Sequence, residues 1–395
     1  MEIQMRTFIN SVRLSLVLLL GLSITTPSTH AKLPSLAELK SAKNETLAEQ
    51  FTQHLSNKDL GEADKLVNFD AYAGRVARLV FDSRIKQNSF AVGFTNGLEK
   101  EPFVEKVFTA TLVEPTTYDY LGLNREGLPI IRAVFESGGF EYVKLIVEHD
   151  KENQLRISDF MFASTGDFSS TGTANSVKYL LQPSDSILAR LLGGIQPNKE
   201  LSDNFKRIAE LRSQGENEKA FRLIQTLPPE VRNQKELLVV SISLTSVLDE
   251  ELYRKELSRL DKHHGNDPRL AFMLIDHYFY TEDWDKAISA LKTVKHEWSD
   301  DAALNTLLAE VMYQKGQIDE AISTSLYAIN LEPDMELPYW SAVNIYNRSG
   351  KFVDLVDIFK ELQVNFSYTF TAEDFAEDEA YAQFSLSDPF KEWLE

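Results

Sequence analysis

The sequence predicts two structural parts: an α+β layer, helices followed by a curved antiparallel sheet, and then an all-α stack of helical hairpins. Three observations carry this. Apolar residues at helical spacing give way, between residues 129 and 165, to alternation with a period of two. Beyond residue 200, apolar, small and turn-forming residues recur every 34 positions. Between the parts, residues 163–200 are rich in Ser, Thr, Gly and Pro, the composition of a domain edge.

The first element lies outside the fold. Arg6 and Arg13 precede or enter the apolar run LSLVLLLGLSI, residues 14–24, and a polar stretch closes on Thr29, His30 and Ala31. This reads as an export leader over residues 1–31, cleaved after Ala31. The run has 11 residues, too short to cross about 30 Å of hydrocarbon as a helix, so a retained single-span anchor is disfavoured. No later run approaches spanning length, and the mature chain is expected in the periplasm without a transmembrane segment. A net charge of −19 argues against nucleic acid and anionic membranes as partners. With no cysteine, disulfides, thiolate metal sites and a cysteine nucleophile are excluded.

The α+β part spans residues 34–165. Leu36, Leu39, Leu47, Phe51 and Leu55 recur at helical spacing, ADKLVNFDAYAGRVARLVFDSRI reads as a short helix pair, and KEPFVEKVFTATLVE continues the helices. LPIIRAVFESGGFEYVKLIVEHDKENQLRISDFMFAS then reads as three antiparallel strands, with Gly138 and Gly139 at one turn and EHDKEN at the next. Residues 118–121 offer a fourth strand. Ile131, Ala133 and Phe135 share one face, as do Val143, Leu145 and Val147. The order and length of these elements resemble the NTF2-like, or cystatin-like, cone folds. That resemblance implies an apolar pocket, and relatives that are isomerases or dehydratases place a carboxylate or His inside it. The candidates are Asp159 on the last strand and Asp70, each with a plainer role: a strand-edge hydrogen bond for Asp159, a helix cap for Asp70. His149 and Asp150 fall at a hairpin tip, and His263 and His264 in a turn between hairpins. The sequence holds no phosphate-cradling loop and no nucleophile elbow. The expectation is a non-catalytic chain with no metal and no cofactor.

The hairpin part is most legible in QKGQIDEAISTSLYAINLEPD, residues 314–334. Ala287, Ala321 and Leu355 are 34 residues apart, as are Gly316 and Gly350, and Tyr278, Met312 and Tyr346 share one phase. Gly215 precedes Ala220 at the spacing of Gly316 and Ala321. A 34-residue period with two amphipathic helices per unit resembles the tetratricopeptide repeat family. Residues 302–335 match best, through Leu308, Ala309, Gly316, Ala321, Ala328 and Pro333. Small residues let paired helices touch, Gly permits a tight turn and Pro ends the second helix. Asn305 and Ser325 stand where the family's pattern has aromatics. About five hairpins are expected over residues 201–369.

The resemblance implies a solenoid whose concave groove is lined by first helices. The inward residues begin with Phe205 and Arg212 and include Glu310 and Asn347. The expected partner-binding set is Arg269, Phe272, Asp276, Phe279, Tyr280, Tyr313, Gln314, Trp340, Asn344 and Arg348. Aromatics with Arg and Asn suit a peptide or protein of the cell envelope, and the acidic surface favours a basic one. The alternative is that several of these aromatics pack against a neighbouring repeat or the other part of the chain. Residues 166–200 read as linker and bridging helix, and residues 370–395 as an acidic aromatic tail that caps the stack or occupies its groove. Asp388 and Pro389 read as cap and first position of a last helical turn.

Overall fold

A computed structural model describes residues 42–394, apart from 101, 110–111, 113–114, 116, 137–138, 181–198 and 377. The expected leader, Gly138 of the first hairpin turn and most of the linker lie outside the described residues. The chain divides into two compact units, Met1–Tyr280 and Thr281–Glu395.

The first unit opens with helices α1 (Ala42–Ser56), α2 (Leu60–Asp64), α3 (Phe69–Val80), α4 (Arg84–Leu98) and α5 (Phe103–Thr109). A five-stranded antiparallel meander follows, its strands neighbours in chain order. These are β1 (Thr117–Leu123), β2 (Pro129–Val134), β3 (Phe140–His149), β4 (Leu155–Phe162) and β5 (Asp167–Phe168). Ile131 lies opposite Val143, so the two apolar faces read from the sequence coincide. They bury against Leu47 and Phe51 of α1, Tyr72 and Val76 of α3, and Val104 and Phe108 of α5. The pairing of β3 with β4 shifts between Ile146 and Val147, leaving Ser158 as an extra residue. That bulge lets Ile157 and Phe160, three apart, both enter the same core.

Phenylalanines fill this core: Phe160 lies 5.7 Å from Phe51 and 5.4 Å from Phe108 between ring centroids. The opposite face of the sheet is covered as well, with Arg132, Tyr142, Lys144 and Ile146 all buried. An antiparallel sheet usually leaves one face to water, and double coverage explains why β3 is buried continuously from Phe140 to Val147. The cap of α3 is Asn68, whose side chain accepts from the Ala71 amide at 2.9 Å. Asp70 is therefore not the cap expected from sequence. It sits in the first turn of α3, paired with Lys151 at 2.7 Å and accepting from Thr95 at 3.3 Å.

The same unit continues with α6 (Ser169–Leu180), α7 (Lys199–Ser213), α8 (Asn217–Thr226), the single turn α9 (Pro229–Arg232), α10 (Lys235–Ser246), α11 (Glu250–His264) and α12 (Ala271–Tyr280). Helices α7 and α8 pack as one hairpin, α10 and α11 as the next, and α12 lies on α11. Both α10, from Lys235 to Thr245, and α12, from Ala271 to Phe279, carry long stretches with scarcely any exposed position. His263 and His264 end α11 instead of lying in the turn expected for them, and the His264 ring meets the Asn233 carbonyl at 2.8 Å. A helix continues there because Gly265 and Asp267, not the histidines, supply the break.

The second unit holds α13 (Trp284–Glu297), α14 (Ala302–Gln314), α15 (Ile318–Leu331), α16 (Glu336–Arg348) and α17 (Phe352–Phe366). These are antiparallel, TPR-like hairpins. Gly316 and Gly350 turn two of them with φ of +84° and +70°, a region that side-chain-bearing residues avoid. Ala309 and Ala321 are fully buried where α14 meets α15. Asn305, where an aromatic was the usual choice, is explained by its partners: it donates to Asp300 at 2.8 Å and to the Asp301 carbonyl at 2.7 Å, and accepts from Lys295 at 3.0 Å. It locks the start of α14. The tail forms the short helices α18 (Ala372–Ala376), α19 (Ala382–Ser385) and α20 (Asp388–Leu394). Phe375, Phe384 and Phe390 join the core around Phe359, on whose ring Trp393 stacks at 5.2 Å. Asp388 is the first residue of α20 and not its cap; Ser387 precedes it and accepts from the Phe390 amide at 3.4 Å.

Candidate partner-binding surface

In the first unit the inward positions are largely engaged with the protein itself. Phe272 is buried, its ring 5.9 Å from Tyr142 and 6.2 Å from Phe140 on the outer face of the sheet. Asp276 is buried and accepts from the Tyr253 hydroxyl at 2.7 Å. Phe279 is buried. Tyr280 is half-buried, with the Arg254 guanidinium 3.9 Å above its ring. Arg269 pairs with Asp267 at 2.6 Å and approaches Asp167 at 3.8 Å.

Asp167 gathers two cations, because the buried Lys235 also reaches it at 3.1 Å. The loop before β5 comes so close that a Cβ on Gly166 would lie 2.6 Å from the Arg269 carbonyl oxygen. A cavity of about 20 Å³, room for one water, is lined by Phe162, Ser169, Lys235 and Glu236 among others. Burial pushes the Glu236 carboxyl up to about 7. The sheet thus meets α12 at Phe272, one of the positions from which partner contacts were expected.

In the second unit the corresponding face is partly open. Trp340 is half-buried, edge-on to Tyr368 at 5.4 Å and near Phe370 at 6.5 Å, so the chain beyond α17 shelters it. Tyr368 is held by its hydroxyl donating to Glu336 at 2.7 Å. Asn347 donates to the Ala380 carbonyl at 2.8 Å. Glu310 of α14 accepts from Ser341 of α16 at 2.7 Å, which sets the register of the two first helices. Burial raises the Glu310 carboxyl, and the charge of Arg348 opposes that rise. One turn further, Tyr313, Gln314 and Asn344 are half-buried and Arg348 is exposed. Among the described residues, Gln314, Asn344 and Arg348 make no hydrogen bond or ion pair. They present amide and guanidinium groups one turn beyond the Glu310–Ser341 hydrogen bond on α14 and α16.

The carboxylates weighed for catalysis are structural. Asp159 is buried and accepts from the amides of Phe160 at 2.9 Å and Ser170 at 3.1 Å, and from the Ser170 hydroxyl at 2.5 Å. It anchors the start of α6 instead of bonding at a strand edge, and burial raises its pKa to about 6. Asp150 shapes the tip between β3 and β4 by accepting from the amides of Glu152 and Gln154. The sequence reading passed over Glu141, which is fully buried, raised to about 7 by burial, and accepts from the amides of Tyr142 at 2.9 Å and Ser164 at 3.1 Å. Its place in the alternation of β3, between Phe140 and Tyr142, was the available signal. Among the described residues no cluster of His, Asp and Glu could hold a metal ion, and no helix is long and apolar enough to cross a membrane.

No known family and no curated protein matches the chain. Among solved structures it is similar to MamA (residues 41 to end) from Desulfovibrio magneticus RS-1, at 15% identity and a TM-score of 0.35, covering 43% of this chain and 97% of that one. It is also similar to MamA of AMB-1, at 16% identity and a TM-score of 0.34, covering 42% of this chain and 99% of that one. Likeness at this level assigns neither family nor function.

Proposed function

We propose that this chain is an exported, non-catalytic adaptor that binds a protein or peptide of the cell envelope on the first-helix face of its second unit. The observation that carries this is that Gln314, Asn344 and Arg348, one turn beyond the Glu310–Ser341 hydrogen bond, make no hydrogen bond or ion pair among the described residues. Gln314 and Asn344 are half-buried and Arg348 is exposed, and their polar groups, not used within the chain and held on helices, are free to bond to an extended backbone or polar side chain. The buried placement of Asp159 and the ring-filled core of the α+β layer argue against acid–base chemistry there. In this reading the α+β layer is NTF2-like in the order of its elements and serves as a brace for the first hairpins. Export rests on the basic and apolar pattern of residues 1–31.

The test is capture from envelope extract by the purified chain, followed by titration of the captured protein against the double variant Asn344→Ala/Arg348→Ala. The expected result is at least about tenfold weaker binding with unchanged circular dichroism and unfolding midpoint. Equal affinity for the two proteins would refute the surface.

A further inference from the structure

The hairpin of α3 and α4 is a basic island in an acidic chain. From Arg75 to Leu98, the last residue of α4, the sequence holds four cations and one anion, against a net charge of −19 for the whole. Arg75 is paired with Glu148. Arg78, Arg84 and Lys86 are exposed and make no hydrogen bond or ion pair among the described residues. The one anion, Asp82, already has a partner. Apolar side chains stand among these cations. Leu79, Ile85 and Val92 are 40%, 78% and 65% exposed, three of the nine large apolar side chains left exposed among the described residues. Ile85 and Val92 are two turns apart and so lie on one side of α4. Ser89 and Asn96 complete that side, also exposed, and residues 87–98 carry no charge. The other side of α4 packs on α3, where Phe81, Phe90 and Phe94 are half-buried in a row of rings 5.3 and 5.2 Å apart.

We propose that this hairpin docks on the surface of a bilayer containing anionic phospholipid, with α4, about 22 Å long, lying in the plane of the headgroups. Arg78, Arg84 and Lys86 meet the lipid phosphates, and Ile85 and Val92 enter the boundary with the acyl chains. The charge of the tip is complementary to such a surface although the chain as a whole is acidic, because charges more than about 8 Å away are screened at physiological ionic strength. A bilayer fits better than an acidic protein. It accepts isolated aliphatic side chains without a matching pocket, whereas a protein interface is anchored by residues that fill one. Three cations and a few aliphatic side chains give reversible docking, not insertion. This surface lies in the first unit and does not depend on the one proposed above.

The experiment is vesicle cosedimentation of the chain from Lys32 onward, which lacks the apolar run of residues 14–24 that would bind lipid by itself. Vesicles are phosphatidylcholine with or without about 30% phosphatidylglycerol. The chain is expected to bind the anionic vesicles, to ignore the neutral ones, and to be released by about 0.5 M salt. Arg84→Gln/Lys86→Gln and Ile85→Ser/Val92→Ser should each lower the ratio of bound to free chain at least about tenfold. All four side chains are exposed, so circular dichroism and the unfolding midpoint should not change. Lys219→Gln/Arg222→Gln, which removes two exposed cations of α8, should leave binding intact. No binding to anionic vesicles, equal binding to neutral ones, or an equal loss in the α8 variant overturns the proposal. Full binding by Ile85→Ser/Val92→Ser does so too, since the contact is then charge alone. Self-association through Ile85 and Val92 without vesicle binding makes the occupant a second copy and overturns the bilayer.

Discussion

Phe272→Ala tests whether the sheet truly closes the inward face of α12. The ring is 5% exposed and meets two aromatic neighbours, Tyr142 edge-on at 5.9 Å and Phe140 at 6.2 Å. Deleting a buried phenylalanine costs about 3–5 kcal/mol through lost transfer energy and the cavity left behind. Each aromatic pair supplies about 0.5–1.5 kcal/mol of that. A loss of about 3 kcal/mol is a large share of the roughly 5–15 kcal/mol that stabilises a typical domain. With a urea dependence of about 1–3 kcal/mol per molar, the midpoint should fall by about 1–3 M. Phe272→Leu, which keeps most of the volume, should cost under about 1.5 kcal/mol. Urea unfolding followed by circular dichroism reads both. A loss below about 1 kcal/mol for Phe272→Ala would refute the closed face. Partner capture lost at intact stability would return Phe272 to the binding surface.

Stability should also fall as pH rises from about 4.5 to 8, because Glu141 and Glu236 are raised to about 7 and Asp159 to about 6 by burial. The folded chain holds protons that the unfolded chain releases, so the stabilisation is complete below the unfolded values and lost through the folded ones. Glu141→Gln should flatten part of that slope in unfolding midpoints taken across the range. Gly166→Ala should cost more than Gly316→Ala. Both glycines have positive φ, but only at Gly166 does a Cβ strike a backbone oxygen, whereas Gly316 has open space. Paired thermal melts decide it, and equal losses would show that the approach to Arg269 is compliant. Trp340→Ala should loosen the chain beyond α17, seen as faster proteolytic cleavage near Tyr368 with α14 and α15 still protected. Unchanged cleavage would mean that the core around Phe359 holds the tail without Trp340.

Much of the secondary structure was legible because it follows from local rules. Gly316 and Gly350 turn hairpins as their spacing implied, and Ile131 and Val143 face the same core as their alternation implied. Boundary residues were less so. Asn68 and Ser387 cap helices that Asp70 and Asp388 were expected to cap, since each of these side chains suits either position and only backbone geometry selects one.

What the sequence determined by itself is periodicity: which residues lie on one side of a helix or strand, where the chain turns, and that no thiol chemistry is possible. Periodicity is blind to what stands opposite a face. Phe272 and Tyr313 are both aromatic residues on first helices, yet one is buried against the sheet and the other remains half-open. The tertiary structure alone decided that Asp159 anchors a helix, that Asn305 locks one, and that Arg212 is buried without a counter-charge. Burial and partnership are set by residues far apart in the chain, and those meet only once the chain has folded.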